Sequence, residues 1–125
     1  MLIKDYVQEI REVINSCSLV TSFNITSDER TGDQGFIVGE ISFIDGSILY
    51  WREFVNVKTI INRGMYVYQY MTPSKNLIFR YDNTRHHKKL NLPNFPHHKH
   101  DGTEENIISS NAPTLIEVLQ EIENL

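Results

Sequence analysis

Five histidines occur in the chain, and all of them fall between His86 and His100. The stretch Arg80-Tyr-Asp-Asn-Thr-Arg-His-His-Lys-Lys-Leu-Asn-Leu-Pro-Asn-Phe-Pro-His-His-Lys-His100 adds Arg80, Arg85, Lys88, Lys89 and Lys99 against one acid, Asp82. Imidazole titrates near neutral pH, so two of them can act as base and acid in one reaction. Cleaving RNA through its own 2′-hydroxyl needs both, with cations to meet the charge that builds on the phosphate oxygens. His86, His87, His97, His98 and His100 are the candidate acid–base groups, and Arg80, Lys88 and Lys99 the candidate phosphate-binding cations. Asp82, Tyr68 and Glu53 are candidate supporting side chains. This reading calls for no metal and no cofactor.

Two other chemistries fit the same residues. His98-x-His100 in an extended segment points both imidazoles to one side, where Asp82 or His87 would complete a set of nitrogen and oxygen ligands. The spacing matches none of the usual zinc patterns, and no cysteine is near. The plainest alternative has the histidines capping loop carbonyls or pairing with acids such as Glu53. A cluster this dense on a proline-stiffened loop favours function over packing.

These residues must be held by something, and the flanking sequence supplies it. Leu2, Ile3, Tyr6, Val7, Ile10, Val13 and Ile14 recur at helical spacing, which predicts a helix over residues 1–16. From Leu19 the chain turns to β-branched and aromatic runs, predicting strands at 19–26, 36–44, 48–57, 65–71 and 77–81. The connections are too short for crossover helices, so the five strands should form an antiparallel meander over residues 19–82. Asp45-Gly46 predicts a two-residue hairpin turn, placing Phe43 opposite Ile48, Ile41 opposite Tyr50, Gly39 opposite Arg52 and Ile37 opposite Phe54. That register sends Glu40, Trp51 and Glu53 to a second, more polar face, with Trp51 at a rim and Glu40 and Glu53 resembling a carboxylate pair. Solvated strand acids are the simpler reading of that pair. Tyr66, Tyr68 and Tyr70 alternate in the fourth strand, more in the manner of packing than of a base-stacking platform. A simple hairpin through Pro73 would set Tyr68 opposite Arg80 and Tyr66 opposite Asp82. Residues 83–112 show no sustained period and read as a long His-rich loop. Thr114-x-x-Glu117 after Pro113 fits a capping box opening a helix at 113–124, with Leu115, Ile116, Val118, Leu119 and Ile122 as its apolar stripe. The fold class is therefore α+β, a single domain over residues 1–125 with both helices on the apolar sheet face. The loop should lie over a sheet edge or the polar face, near Arg80, Asp82 and Tyr68.

Composition narrows the classes. With 125 residues, 40% hydrophobic and 22% charged, the chain suits one globular core rather than disorder. No apolar run reaches the roughly 18 residues a membrane helix requires, and the charged start shows no secretory leader, so no membrane partner is expected. The single cysteine, Cys17, is read as a small residue at a helix end and fits a cytoplasmic location. Net charge is −4, which argues against coating nucleic acid by bulk charge. That figure hides a division. Arg80 to His100 carries +4 (five bases, one acid) and the other 104 residues carry −8 (seven bases, fifteen acids). Six of those acids follow His100 with no balancing base, and could hold the loop in place or face a basic partner.

Arg80-Tyr-Asp-Asn, then His86-His87, then Phe95-Pro96-His97-His98-Lys99-His100 and a short acidic helix resemble the TumE-type toxins of prokaryotic toxin–antitoxin pairs. The Asp45-Gly46-Ser47 hairpin, Glu53, the tyrosine alternation and the strand Leu77-Ile-Phe-Arg-Tyr81 extend the likeness over about residues 36–125. Thr84-Arg85 and Lys88-Lys89 depart from it, since smaller residues and proline are expected there. The resemblance implies a toxin neutralised by a cognate antitoxin, a small DNA-binding-type regulator, with RNA as the supposed target. Arg80, Asp82, His86, His87, His97, His98, Lys99 and His100 match its motif. The expectation is a metal-independent endoribonuclease toxin, with room for a homodimer. The alternatives are a non-catalytic nucleic-acid- or protein-binding module, and a metal-dependent hydrolase with a His/Asp site.

Overall fold

The computed structural model describes all residues, 1–125. Helix α1 (Ile3–Asn15) opens with the Asp5 carboxylate accepting the Leu2 backbone N–H at 2.9 Å. It buries Ile3, Tyr6, Ile10 and Ile14, one stripe at steps of three and four. Seven strands follow: β1 (Val20–Thr31), β2 (Gln34–Phe43), β3 (Ile48–Asn56), β4 (Asn62–Met71), β5 (Leu77–Asp82), β6 (His98–Asp101) and β7 (Ile107–Ser109). Helix α2 (Leu115–Glu123) closes the chain. The sheet runs β1 to β7 in sequence order, and every neighbouring pair is antiparallel.

The α+β class and the meander match the expectation, but the sheet has seven strands where five were expected. Residues 83–112 are not one loop, because β6 pairs with β5 and β7 with β6. The apolar alternation that marks a strand is absent from β6. His98 and His100 take its inward positions, and they face Asp82 rather than an apolar layer. A single 3₁₀ turn, Lys88–Leu90, lies in what remains of the loop.

The β2–β3 hairpin also departs from expectation. Phe43 N–H donates to Ser47 O, so the loop has three residues, and Gly46 alone takes a positive φ of 85°. That is a turn followed by a left-handed glycine, not a two-residue turn. The Asp45 carboxylate braces it by accepting from Ser47 N–H and Oγ–H. The register slips by one: Ile41 faces Leu49, Gly39 faces Trp51 and Ile37 faces Glu53. A one-residue slip turns a strand over. Trp51 and Glu53 therefore enter the core, at 0% and 1% exposure, while Tyr50 and Arg52 turn to the opposite face. Glu40 lies opposite Tyr50, so Glu40 and Glu53 occupy different faces and form no pair. Between β4 and β5 the register again differs by one, with Tyr68 facing Tyr81 and Val67 facing Asp82.

Both helices pack on one face, against Ile37, Ile41, Leu49, Trp51, Tyr66, Tyr68, Tyr70 and Phe79. The tyrosine stripe is packing, since Tyr66, Tyr68 and Tyr70 are all buried. In α2 the Thr114–Glu117 capping box forms as expected. Ile116 points outward instead of joining the stripe.

Within this face Glu53 accepts hydrogen bonds from the hydroxyls of Tyr6 (2.5 Å) and Tyr68. Tyr68 in turn accepts from Arg63 at 2.9 Å. Burial pushes the Glu53 carboxyl above its ordinary range, and the tyrosine hydrogen bonds and Arg63 only partly offset it. The folded state therefore holds a proton that the unfolded chain releases. Stability from Glu53 is full below the unfolded carboxyl pKa and is lost as pH rises through the folded one. Glu53→Gln should remove this loss. Denaturant unfolding is expected to show the Gln chain gaining on the parent as pH rises from 4 to 8. An unchanged gap across that range would contradict it.

Candidate functional site

The opposite, helix-free face carries the site. Asp82 ends β5 and is buried. Its Oδ1 accepts from Thr84 N–H (3.0 Å) and Thr84 Oγ–H (2.9 Å), and its Oδ2 from Arg80 Nε–H (3.1 Å). On β6, His98 lies opposite Asp82 and His100 opposite Arg80, and strand alternation puts all four side chains on this face. His98 Nε2 is 2.9 Å from Asp82 Oδ1, and His100 Nε2 is 3.6 Å from Oδ2. His98 Nδ1 bonds Pro96 O, and His100 Nδ1 bonds Glu104 O, each at 2.8 Å. A carbonyl oxygen only accepts, so both Nδ1 atoms carry hydrogen and both Nε2 atoms turn inward toward Asp82.

His87 completes the group from the loop. Its ring centre is 5.0 Å from that of His98 and 5.3 Å from that of His100, and those two are 5.0 Å apart. Partial burial, then the neighbouring His98 and His100, hold the His87 pKa below its usual value. Burial alone would raise the pKa of Asp82. Hydrogen bonds from Thr84, the charge of His98 and the Arg80 contact outweigh it and leave the carboxyl below its ordinary range.

The other predicted residues divide. His86 is exposed and touches the group only edge-on through His87, 6.4 Å between ring centres. His97 stacks on Tyr66 at 5.8 Å and bonds its hydroxyl at 2.9 Å, apart from the other imidazoles. Arg80 is not a free cation: Nη1 and Nη2 each donate to Glu104 at 2.7 Å, and Nε donates to Asp82. Lys99 points to the helix face, 3.0 Å from Glu121 and lying over the rings of Phe79 and Tyr81. Two of the acids after His100 thus hold the segment in place, as the charge division suggested. Lys88 is exposed and forms no ion pair. Tyr68 and Glu53 belong to the core network on the far side of the sheet.

Neither Thr84 nor Glu104 stands out as a site residue in the sequence. Thr84 was legible, because an Asp two residues upstream is the spacing of a side-chain-braced turn. Glu104 depends on the β6–β7 hairpin, whose signal was Asp101-Gly102, with Gly102 at a positive φ of 81°.

Chemically, the arrangement gathers three imidazoles, two of them against one buried carboxylate, half open to solvent at His87. The loop beside it carries Arg85, Lys88 and Lys89, all exposed and in no ion pair, with Arg85 lying over the Phe95 ring at 5.7 Å. Residues 83–100 contain no acid. No helix is long and apolar enough to cross a membrane. The sequence matches the family described as Toxin TumE over residues 10–125. No curated protein and no solved structure matches it.

Proposed function

Because the chain belongs to the TumE toxin family, we propose that it arrests growth by cutting RNA at the His87–His98–His100–Asp82 centre. The observation that carries this reading is the convergence of three imidazoles, two of them against Asp82, beside a loop whose Arg85, Lys88 and Lys89 are free to meet a polyanion. RNA supplies its own nucleophile. The protein needs only to seat the phosphate, take the 2′-hydroxyl proton and protonate the departing oxygen. Exposed loop cations suit the seating, whereas Arg80 and Lys99 serve to hold β5, β6 and α2 together. A cognate antitoxin, a small DNA-binding-type regulator, belongs to the same proposal, as the partner that neutralises the toxin.

The geometry favours a single three-histidine centre over one pair of imidazoles working from opposite sides of a phosphate. The ring nitrogens lie within 4.8 Å of one another. A phosphate gripped between two of them by hydrogen bonds of about 2.8 Å would need more space. The test is direct. The purified chain is incubated with total RNA, both as isolated and with added zinc, beside His98→Ala. Cleavage by the parent and at least about a hundredfold less by the variant is expected. Intact RNA in every parent reaction, or equal cleavage by both chains, would overturn the reading.

A further inference from the structure

We infer that His87, His98 and His100 bind one divalent ion of the zinc class, through three imidazole nitrogens with a position left open to solvent. The inference deepens the proposed function by naming what the centre holds, and it is read out independently of RNA.

Three observations carry it. First, one ring nitrogen from each residue lies within 4.8 Å of the other two. Zinc–nitrogen bonds of about 2.0–2.1 Å put tetrahedral ligand atoms about 3.3 Å apart, so a small closure of the three imidazoles completes the set. Second, the Nδ1 hydrogens of His98 and His100 are fixed by backbone carbonyls, which aims both Nε2 atoms into the same space. Metal-bound histidines are held in this way by the groups behind them. Third, His98 Nε2 is fully buried and makes no hydrogen bond of acceptable geometry, although Asp82 Oδ1 lies 2.9 Å away. A buried polar atom is seldom left unsatisfied in a folded chain. An ion shared with His100 and His87 satisfies it.

The donor set also indicates the class of ion. Three imidazoles suit zinc, cobalt, nickel or copper, whereas magnesium and calcium take oxygen ligands. The oxygens of Asp82 are already engaged by Thr84 and Arg80. Its charge therefore faces the ion as a neighbour rather than as a required ligand. An ion with an open position would supply the RNA reaction with bound hydroxide. It would accept the 2′-hydroxyl proton as the 2′-oxygen bonds to phosphorus, and return a proton to the 5′-oxygen as that oxygen's bond to phosphorus breaks.

The chain, purified without a histidine tag and stripped by chelator, is titrated with zinc chloride by calorimetry and with cobalt chloride by visible absorption. One ion per chain and an intense tetrahedral cobalt spectrum are expected. His98→Ala and His100→Ala should weaken binding by at least about a hundredfold, while His86→Ala and His97→Ala bind as the parent does. His87→Ala should weaken binding too, with an unchanged circular dichroism spectrum, because it lies outside the sheet. Absence of binding by the parent, or binding indifferent to all three substitutions, would overturn the inference. Zinc binding beside intact RNA would support the site and remove only the RNA reading. RNA cleavage by a stripped chain that takes up no zinc would overturn the site alone.

Discussion

Asp82→Ala is expected to cost the fold about 3–5 kcal/mol and, on the proposed function, to abolish RNA cleavage. The carboxylate is buried and accepts from Thr84 twice and from Arg80 once, and it faces His98 and His100. Truncation leaves the Thr84 N–H without its acceptor and places the Arg80 charge beside two imidazoles with no anion between them. Breaking a buried pair by removing one partner is among the most damaging single changes. The Arg80–Glu104 contact persists but cannot substitute, since Glu104 lies on the outer side of the guanidinium, well exposed. Asp82→Asn separates shape from charge. Its oxygen can still accept from Thr84, so denaturant unfolding should place it between the parent and the alanine chain. Asp82→Ala unfolding within 1 kcal/mol of the parent would show that the carboxylate does not organise this end of the sheet.

Gly39→Val is expected to prevent folding, and Gly39→Ala to lose at least about 2–3 kcal/mol. A Cβ at residue 39 would fall 2.3 Å from Trp51 Cε2 and 2.4 Å from Nε1, far inside any real contact. The indole lies on the strand opposite and is 0% exposed, with the helices packed over it, so it has nowhere to move. Alanine ordinarily suits a strand better than glycine does. Here the overlap decides the sign. The cause can be isolated with a second change. Trp51→Leu in the Gly39→Ala chain should restore part of the lost stability, giving a coupling energy of about 1–3 kcal/mol between the two sites. Purely additive losses would locate the damage elsewhere.

Much of the fold was legible from local chemistry. The Thr114–Glu117 box marked the start of α2, helical spacing marked α1, and short connections implied the meander. Two features were not legible, for different reasons. Asp45-Gly46 reads equally as a two-residue turn or as the end of a three-residue loop. The choice depends on whether one or two residues take positive φ, and only Gly46 does. That single residue of slip moved Trp51 and Glu53 across the sheet. Strand β6 was invisible because alternation is recognised by apolar side chains, and His98 and His100 are buried by polar contacts instead.

The site shows the same contrast. His87, His98, His100 and Asp82 all stand out in the sequence, and the His98-x-His100 spacing points both imidazoles one way. Arg80 and Lys99 look like free cations in the sequence because their partners, Glu104 and Glu121, lie 24 and 22 residues further along the chain. Clustering in sequence also overstated the group, since His97 follows the odd-numbered face and stacks on Tyr66 while His98 and His100 follow the even one.

If three of the five histidines form one working centre, initial rates of RNA cleavage by the five single His→Ala chains will divide them. Loss of at least about a hundredfold for His87, His98 and His100, with His86 and His97 near the parent rate, is the predicted outcome. Loss at His97 or His86 comparable to that at His98, or full activity without His98 and His100, would contradict it.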